Sequence, residues 1–457
     1  MKLLKLTVLA AAAVAAAGCS FIPTYERPVA PVANQFPYPG AKDGRAASDL
    51  KWQEFFTDPH LRELITMALA NNRDLRVAVL NIEQARAAYD VRKADQLPSV
   101  GLQAQVSRAP NIANIESTTY QVGLALSSWE IDFFGRIRAL SEQALNQYLA
   151  TEEGRNAAQA TLVASVANAY MGVAADEELL ALTRETLTTR EESLRLTRLR
   201  FENGASSEID FRQAQSLYES ARTTLAQQQR QRATDINALA LLLGAPVPPD
   251  FMVGVSTDKF ALPDLPAGVP SEVLVKRPDV HQAELQLIAA NANIGAARAA
   301  FFPRITLTAA AGIGSSELNK LVQGGTFAYS ITPTLLQPIF DAGRNQANLG
   351  SSVAGREIAV AQYEKAIQSA FKDVADALAG RATYGDQLDA QGKVVEAETV
   401  RNRLAKLRYD NGVASYLDLL DSQRSLFAAQ QALVQARLAR LQNQVQLYRS
   451  LGGGWAS

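Results

Sequence analysis

Chemistry-bearing side chains are scarce in this chain of 457 residues, which has one cysteine, Cys19, and two histidines, His60 and His281. That inventory supplies neither a disulfide framework nor a zinc site, and it argues against a metalloenzyme or a cysteine protease. A charge excess of one sign is missing too. Lys+Arg 45 against Asp+Glu 46 leaves a net charge of −1, so nothing points to nucleic acid as a partner. The apolar run at the N-terminus, Leu6 to Ala17, is too short to span a bilayer as a helix. Proline is absent from Arg136 to Phe201, and the few glycines there do not interrupt the apolar spacing.

What the chain does have is a copy of itself. "RFENGASSEIDFRQAQS" begins at Arg200 and "RYDNGVASYLDLLDSQR" at Arg408, with Gly204 and Gly412 208 positions apart. At the same spacing Ser207 matches Ser415, Asp210 matches Asp418, Gln215 matches Gln423, and Gly135-Arg136 matches Gly343-Arg344. Asp74 and Pro98 fall on Asp279 and Pro303 at a spacing of 205, so the copies differ by a small insertion. This period is far longer than a solenoid unit and reads as a duplicated half-protein.

The N-terminus "MKLLKLTVLAAAAVAAAGCS" has the layout of a secretory signal: two lysines, an apolar run, then small residues. Ala16-Ala17-Gly18-Cys19 fits a lipoprotein processing box, with Ala16 where leucine is commoner. Cleavage would leave Cys19 as a lipidated first residue, followed by Ser20 rather than an aspartate, a pattern that suits outer-membrane sorting. An ordinary signal peptide with an incidental Cys19 is the alternative.

Four stretches switch to a period of two. Val100, Leu102, Ala104 and Val106 alternate with Gly101, Gln103, Gln105 and Ser107, and Tyr120, Val122, Leu124 and Leu126 with Gln121, Gly123, Ala125 and Ser127. In the second half Ile305, Leu307, Ala309 and Ala311 do the same, then Phe327, Tyr329 and Ile331. Each run has the length of one tilted membrane-spanning strand, apolar outward and polar inward. A soluble sandwich strand alternates identically. Small inward residues and the aromatics Trp129, Phe133, Phe134, Phe301, Phe302 and Phe340 favour a membrane barrel with aromatic girdles. Pro333 suits a strand end or a bulge better than a central position. Four strands are too few to close a barrel, and bare edges cannot sit in lipid, so the barrel is expected to be shared between subunits.

Between the strands the pattern is helical. Long helices are expected over 136–201 and 344–409, with return helices over 207–243 and 415–451 and shorter ones near 59–96 and 271–302. At 1.5 Å per residue the longest would be on the order of 100 Å, a length typical of coiled-coil packing. The resulting division is a signal peptide (1–18), an N-terminal anchor and equatorial segment (19–60), a first repeat (61–245), a linker (246–270), a second repeat (271–451) and a tail (452–457).

Several longer stretches resemble the outer membrane factor family, the TolC-like channels, and within it the lipid-anchored OprM-like efflux branch. They are "PTYERP", "WQEFFTDPHLRELITMALANNRDL", "WEIDFFGRIRA", "RPDVHQAELQLIAANANIGAARAAFFPRITL", "PIFDAGRNQANL" and "LRYDNGVASYLDLLDSQRSL", spanning nearly the whole mature chain. The resemblance implies an α+β membrane protein: a homotrimer with a twelve-stranded outer-membrane β-barrel, four strands per chain. A twelve-helix periplasmic α-barrel and a mixed equatorial domain would continue it. It implies a passive exit duct of a tripartite efflux pump for drugs or other small toxic compounds, no catalysis and no cofactor beyond the lipid on Cys19. The implied partners are a periplasmic adaptor, an inner-membrane transporter of the RND type and outer-membrane lipid. Alternatives are the exit duct of a type I protein secretion system and a pore-less lipid-anchored coiled-coil protein; the alternating strands speak against the latter.

Within that frame the turns Asn203-Gly204 and Asn411-Gly412 would form the periplasmic tips, as helix ends and as adaptor-docking surfaces. Asp418 and Asp421 share a helix face and would form carboxylate rings, a cation-selective periplasmic gate, with Arg424 as a possible neutralising partner. Ser415 three residues before Asp418 also reads as a capping box, whereas Asp421 has Gln213 as its repeat counterpart. His60 and His281 read as packed or surface residues, and Trp52 as an anchor of the equatorial belt.

Overall fold

A computed structural model describes residues 20–110, 116–252, 254–323 and 325–455. The signal peptide and Cys19 lie outside the described residues. The chain forms helices α1 (Pro59–Asn71) and α2 (Arg73–Ala94), strands β1 (Val100–Pro110) and β2 (Glu116–Glu130), and helices α3 (Arg136–Glu202) and α4 (Glu208–Leu243). The second half repeats the order with α5 (Pro278–Ala299), β3 (Arg304–Ser315), β4 (Phe327–Leu336), α6 (Arg344–Asp410) and α7 (Tyr416–Ser450). Helices α3 and α6 have 67 residues each, as a duplication requires. Among the described residues no helix is long and apolar enough to cross a membrane.

The expected first helix near 59–96 is two helices. Asn72 has extended backbone, and its side chain accepts from the Leu75 amide at 2.9 Å while donating to the Leu242 carbonyl at 2.9 Å. It thus caps α2 and ties it to the end of α4. The expected helix near 271–302 is also broken, at Arg277, whose extended backbone precedes Pro278. The Arg277 guanidinium is buried and grips Asp279 at 2.7 Å and the Ser450 carbonyl at 3.1 Å.

Among the described residues the chain forms two compact units: 20–29 with 80–153 and 281–365, and 30–79 with 154–280 and 366–455. The first contains the sheet. Its four strands run antiparallel in the order β1-β2-β3-β4. The pairings Gln103 with Gly123, Gly123 with Gly312 and Gly312 with Ala328 align one row across the sheet. With Gly101, Ala125, Ala310 and Ser330 in the next row, this face is small and polar, and a hollow of about 360 Å³ lies over it. The other face presents Leu102, Leu124 and Tyr329, then Val122, Ile313 and Phe327. The alternation in the sequence therefore separates two faces of opposite character.

Pro333 departs from the expectation of a strand end or bulge, since it sits inside β4, opposite Leu307. The Gly314 amide donates to the Thr326 carbonyl, which fixes the alternation of bonded pairs and makes Leu307–Pro333 a non-bonded one. The missing N–H therefore faces away from β3, so the β3–β4 ladder loses no bond at Pro333.

The second unit holds the main core. Leu61, Leu64 and Ile65 of α1 pack with Val166, Tyr170 and Met171 of α3, Val374 and Leu378 of α6, and Val445 and Tyr448 of α7. Tyr448 stacks on Phe55 at 4.0 Å and donates to the Leu50 carbonyl at 2.6 Å. Trp52 is buried in this core, and His60 stacks on Phe251 at 4.6 Å. In the first unit, His281 approaches Glu153 at 3.2 Å. Both histidines are exposed, and among the described residues neither joins a group that could hold a metal.

Candidate functional site

The two turns are built alike. At the end of α3 the Gly204 amide reaches the Phe201 carbonyl and the Ala205 amide the Arg200 carbonyl, and Gly204 has φ 69°. At the end of α6 Gly412 and Val413 repeat both bonds to Tyr409 and Arg408, with φ 75° at Gly412. This double bond after a left-handed residue is the Schellman closure, and it explains the glycine. The asparagine before it has its own task. The side chains of Asn203 and Asn411 donate to the carbonyls of Leu199 and Leu407, each at 2.7 Å. Both helix ends are thus satisfied from within.

The start of each return helix is equally self-contained. Ser207 and Asp210 form a capping box on α4, and Ser415 and Asp418 form one on α7. Asp418 accepts from the Ser415 amide at 3.1 Å and its hydroxyl at 2.9 Å. Its carboxylate is engaged at the cap.

Asp421 is different. Its side chain is 60% exposed and pairs with Arg401 of α6, not with Arg424 as the sequence suggested. Arg401 also holds Glu398 at 3.1 Å and Ser425 at 3.2 Å. Proximity along α7 favoured Arg424 in the sequence, but the long side chain crossing from the antiparallel neighbour reaches the carboxylate. No spacing rule within one helix could have found Arg401.

Contacts near the tips also join the two repeats. Arg200 donates to the Tyr409 hydroxyl at 2.6 Å with its guanidinium 5.3 Å from the ring, and Ser193 meets the Tyr416 hydroxyl at 3.0 Å. Ala214, Leu217, Tyr416, Leu419 and Leu420 form a small core there. Arg190 is buried beside it, donating to the Leu217 carbonyl at 3.2 Å and lying over Phe427 at 5.5 Å. Burial, then the nearby Arg424 charge, hold its pKa below the usual arginine range. Sequence reasoning missed Arg190, because nothing in its pattern marks an arginine as buried.

It also missed a matched apolar surface. Leu196, Leu199 and Ile209 are exposed around the first turn, and their repeat counterparts Leu404, Leu407 and Leu417 around the second. The signal was available in the repeat alignment.

Behind Cys19 the chain is strapped along α5. Phe21 stacks on Phe302 at 4.5 Å, Asn291 donates to the Pro23 carbonyl at 2.7 Å, and Arg27 grips the buried Glu284 through two bonds at 2.7 and 2.9 Å. Tyr25 also donates to Glu284, at 2.9 Å. Burial, reinforced by that bond, raises the Tyr25 pKa above the ordinary phenol range. Phe134 stacks on Phe302 at 5.0 Å, so part of the expected aromatic girdle gathers where β3 begins.

A duplicated chain with a two-faced four-stranded antiparallel sheet and long helical hairpins has the layout of an outer-membrane channel protein. The family description "Outer membrane efflux protein" matches residues 64–245 and 269–453, and the chain belongs to that family. It is 47% identical over 459 residues to the antibiotic efflux pump outer membrane protein ArpC of Pseudomonas putida, covering 98% of this chain and 95% of that protein. The same figures hold for the toluene efflux pump outer membrane protein TtgC, also of Pseudomonas putida. The crystal structure of the open state of the MtrE outer membrane channel of Neisseria gonorrhoeae superposes with a TM-score of 0.88 at 42% identity, over 96% of this chain and 99% of that one.

Proposed function

We propose that this chain is the outer-membrane exit duct of a tripartite efflux pump, conducting small toxic compounds passively. The observation that carries the reading is the sheet, whose small polar face and apolar face suit a lumen and a lipid contact, on a chain of this family. Relatives named for antibiotic and toluene efflux support small, largely apolar substrates. The outer edges of β1 and β4 are unpaired among the described residues, and in lipid they need partners. Three copies closing a twelve-stranded barrel would supply them, with a lipid on Cys19 holding each chain at the membrane. Deleting the gene should raise intracellular antibiotic or solvent accumulation, and the wild-type gene should restore export. Unchanged accumulation in a strain whose pump is active would overturn the reading, and crosslinked membranes containing only monomers would overturn the shared barrel.

The turns Asn203-Gly204 and Asn411-Gly412 dock a periplasmic adaptor that joins an RND-type transporter, and the exposed leucines around both turns support this. Asp421 forms the gate ring, with Arg401 as its counter-charge. Its exposure supports that role, while Asp418 serves as the cap beneath it.

A further inference from the structure

Asp176 lies midway along α3 and is 6% exposed, and its Oδ2 is buried without a hydrogen-bond donor. The side chain that bears on it most is another acid, Asp235 of α4, beside the Glu177–Arg232 bridge that joins the same two helices. Two carboxylates cannot share a buried contact while both are ionised, but a carboxylic acid and a carboxylate can. Among the described residues, Arg232 of α4 is the cation that bears on the pair, and it is already bonded to Glu177. Glu178, on the next position of α3, is taken by Ser256, Thr257 and, at 3.9 Å, Arg437 of α7, which also holds Asp258. The amide of Gln231 donates to both oxygens of Asp235, at 3.0 and 3.1 Å. Beside it on α3, Ala175 and Leu179 pack against Val434 of α7.

We propose that Asp176 and Asp235 share one proton and form a proton-dependent latch between α3 and α4, closed while the proton is present and loosened when it leaves. Burial, then the contact with Asp235 and the charges of Asp235 and Glu177, push the Asp176 pKa up to about 7, against the lowering effect of Arg232. The proton is a property of the pair rather than of one residue. The duplication supplies an internal contrast: 208 positions on, the second repeat carries Tyr384 and Asn443, which cannot form such a pair. Only the first hairpin is pH-sensitive in this way.

The sign follows from linkage. The folded protein holds a proton that the unfolded chain releases near the ordinary aspartate value of about 3.9. The latch therefore favours the folded state less as pH rises from there to about 7. Going from one unit below the pair's value to one unit above, the protonated fraction falls from about nine-tenths to about one-tenth.

The test uses the full-length protein in detergent or lipid. Difference infrared spectroscopy between about pH 6 and about pH 8.5 should show loss of one protonated-carboxyl C=O band per chain, absent in Asp176→Asn. Hydrogen exchange of the amides flanking Asp176 and Asp235, corrected for the intrinsic pH effect, should accelerate several-fold at the higher pH in wild type. Amides flanking Tyr384 and Asn443 should not change. In Asp176→Asn the amide donates permanently to Asp235, so the acceleration should vanish; Asp235→Asn should remove it as well. Wild-type exchange at the pair that is independent of pH, or that matches both variants, would overturn the latch. So would the absence of a protonated-carboxyl band at the lower pH.

Discussion

Replacing Gly295 with alanine should lift the N-terminal strap while leaving α5 intact. A Cβ at Gly295 would sit 2.5 Å from Ile22 Cγ1, 2.9 Å from the Ile22 nitrogen and 3.0 Å from its Cα. The side-chain carbon could rotate away. The backbone nitrogen could not, so the whole strap must move. Forcing a methyl into a well-packed site costs about 1–3 kcal/mol. At about 1.4 kcal/mol per factor of ten, the detached population should rise about 5- to 140-fold. The helix itself should gain, because alanine is favoured over glycine in a helix interior by about 1 kcal/mol.

Limited proteolysis reads this directly. Chymotrypsin cleaves after Phe21 and Tyr25, both held against unit partners in the folded state. Where reclosing is fast, the cleavage rate follows the open population rather than the unfolding rate. The Gly295→Ala protein should therefore lose its N-terminal fragment at a rate raised by that factor, at an unchanged melting temperature. Glu284→Gln should act in the same direction, since it removes the charge that Arg27 grips. Cleavage at the wild-type rate in Gly295→Ala would refute the argument that the glycine exists to admit the strap's backbone.

Three other outcomes can be checked. In planar bilayers at low salt, Asp421→Ala should lower cation selectivity and Arg401→Ala should raise it, read as opposite shifts of reversal potential. Neither should change stability measurably, because the pair is largely exposed and screened by solvent. Arg190→Met should leave the melting temperature unchanged or higher, since a buried guanidinium with no carboxylate partner among the described residues is replaced by an apolar chain of similar volume. The hydrogen bond and charge of Arg381 lower the Asp264 pKa, so their contribution persists above the ordinary aspartate range and is lost as pH falls through the lowered value. Arg381→Ala should flatten acid-side stability below about pH 4 in chemical denaturation, by a small amount because Asp264 is about half exposed.

The elements that the sequence made legible are those set by local rules. Periods of two and of 3.6 residues located all four strands and the long helices, and Asn-Gly with Ser-x-x-Asp located both tips and both caps, because each needs only its own neighbours. The failures have a common cause as well. Asn72 splits a helix by bonding to Leu242, and Arg277 breaks another at Pro278 while gripping the chain's C-terminal helix. Arg401 displaces Arg424 as the partner of Asp421 for the same reason. Each depends on a residue brought from a distant stretch of chain, which spacing along one segment does not encode.

The duplication turns that difference into a guide to function. Where the two copies agree, at Gly204 and Gly412 or Asp210 and Asp418, the agreement is met by backbone closure and capping that any such hairpin needs. Where they disagree, the first copy has Arg190, Ser193 and Gln213 against Glu398, Arg401 and Asp421 in the second. Those second-copy residues form one charged cluster around the exposed Asp421, while the first-copy Arg190 is buried and lies over Phe427. The Asp176–Asp235 pair has no equivalent in the second copy either. A ring built from alternating copies is therefore not uniform: one hairpin carries the exposed Asp421–Arg401 pair and the other the buried Asp176 beside Asp235. Charge at the tip and proton-sensitive packing above it can then vary independently, since a substitution in one copy leaves the shared scaffold of the other untouched.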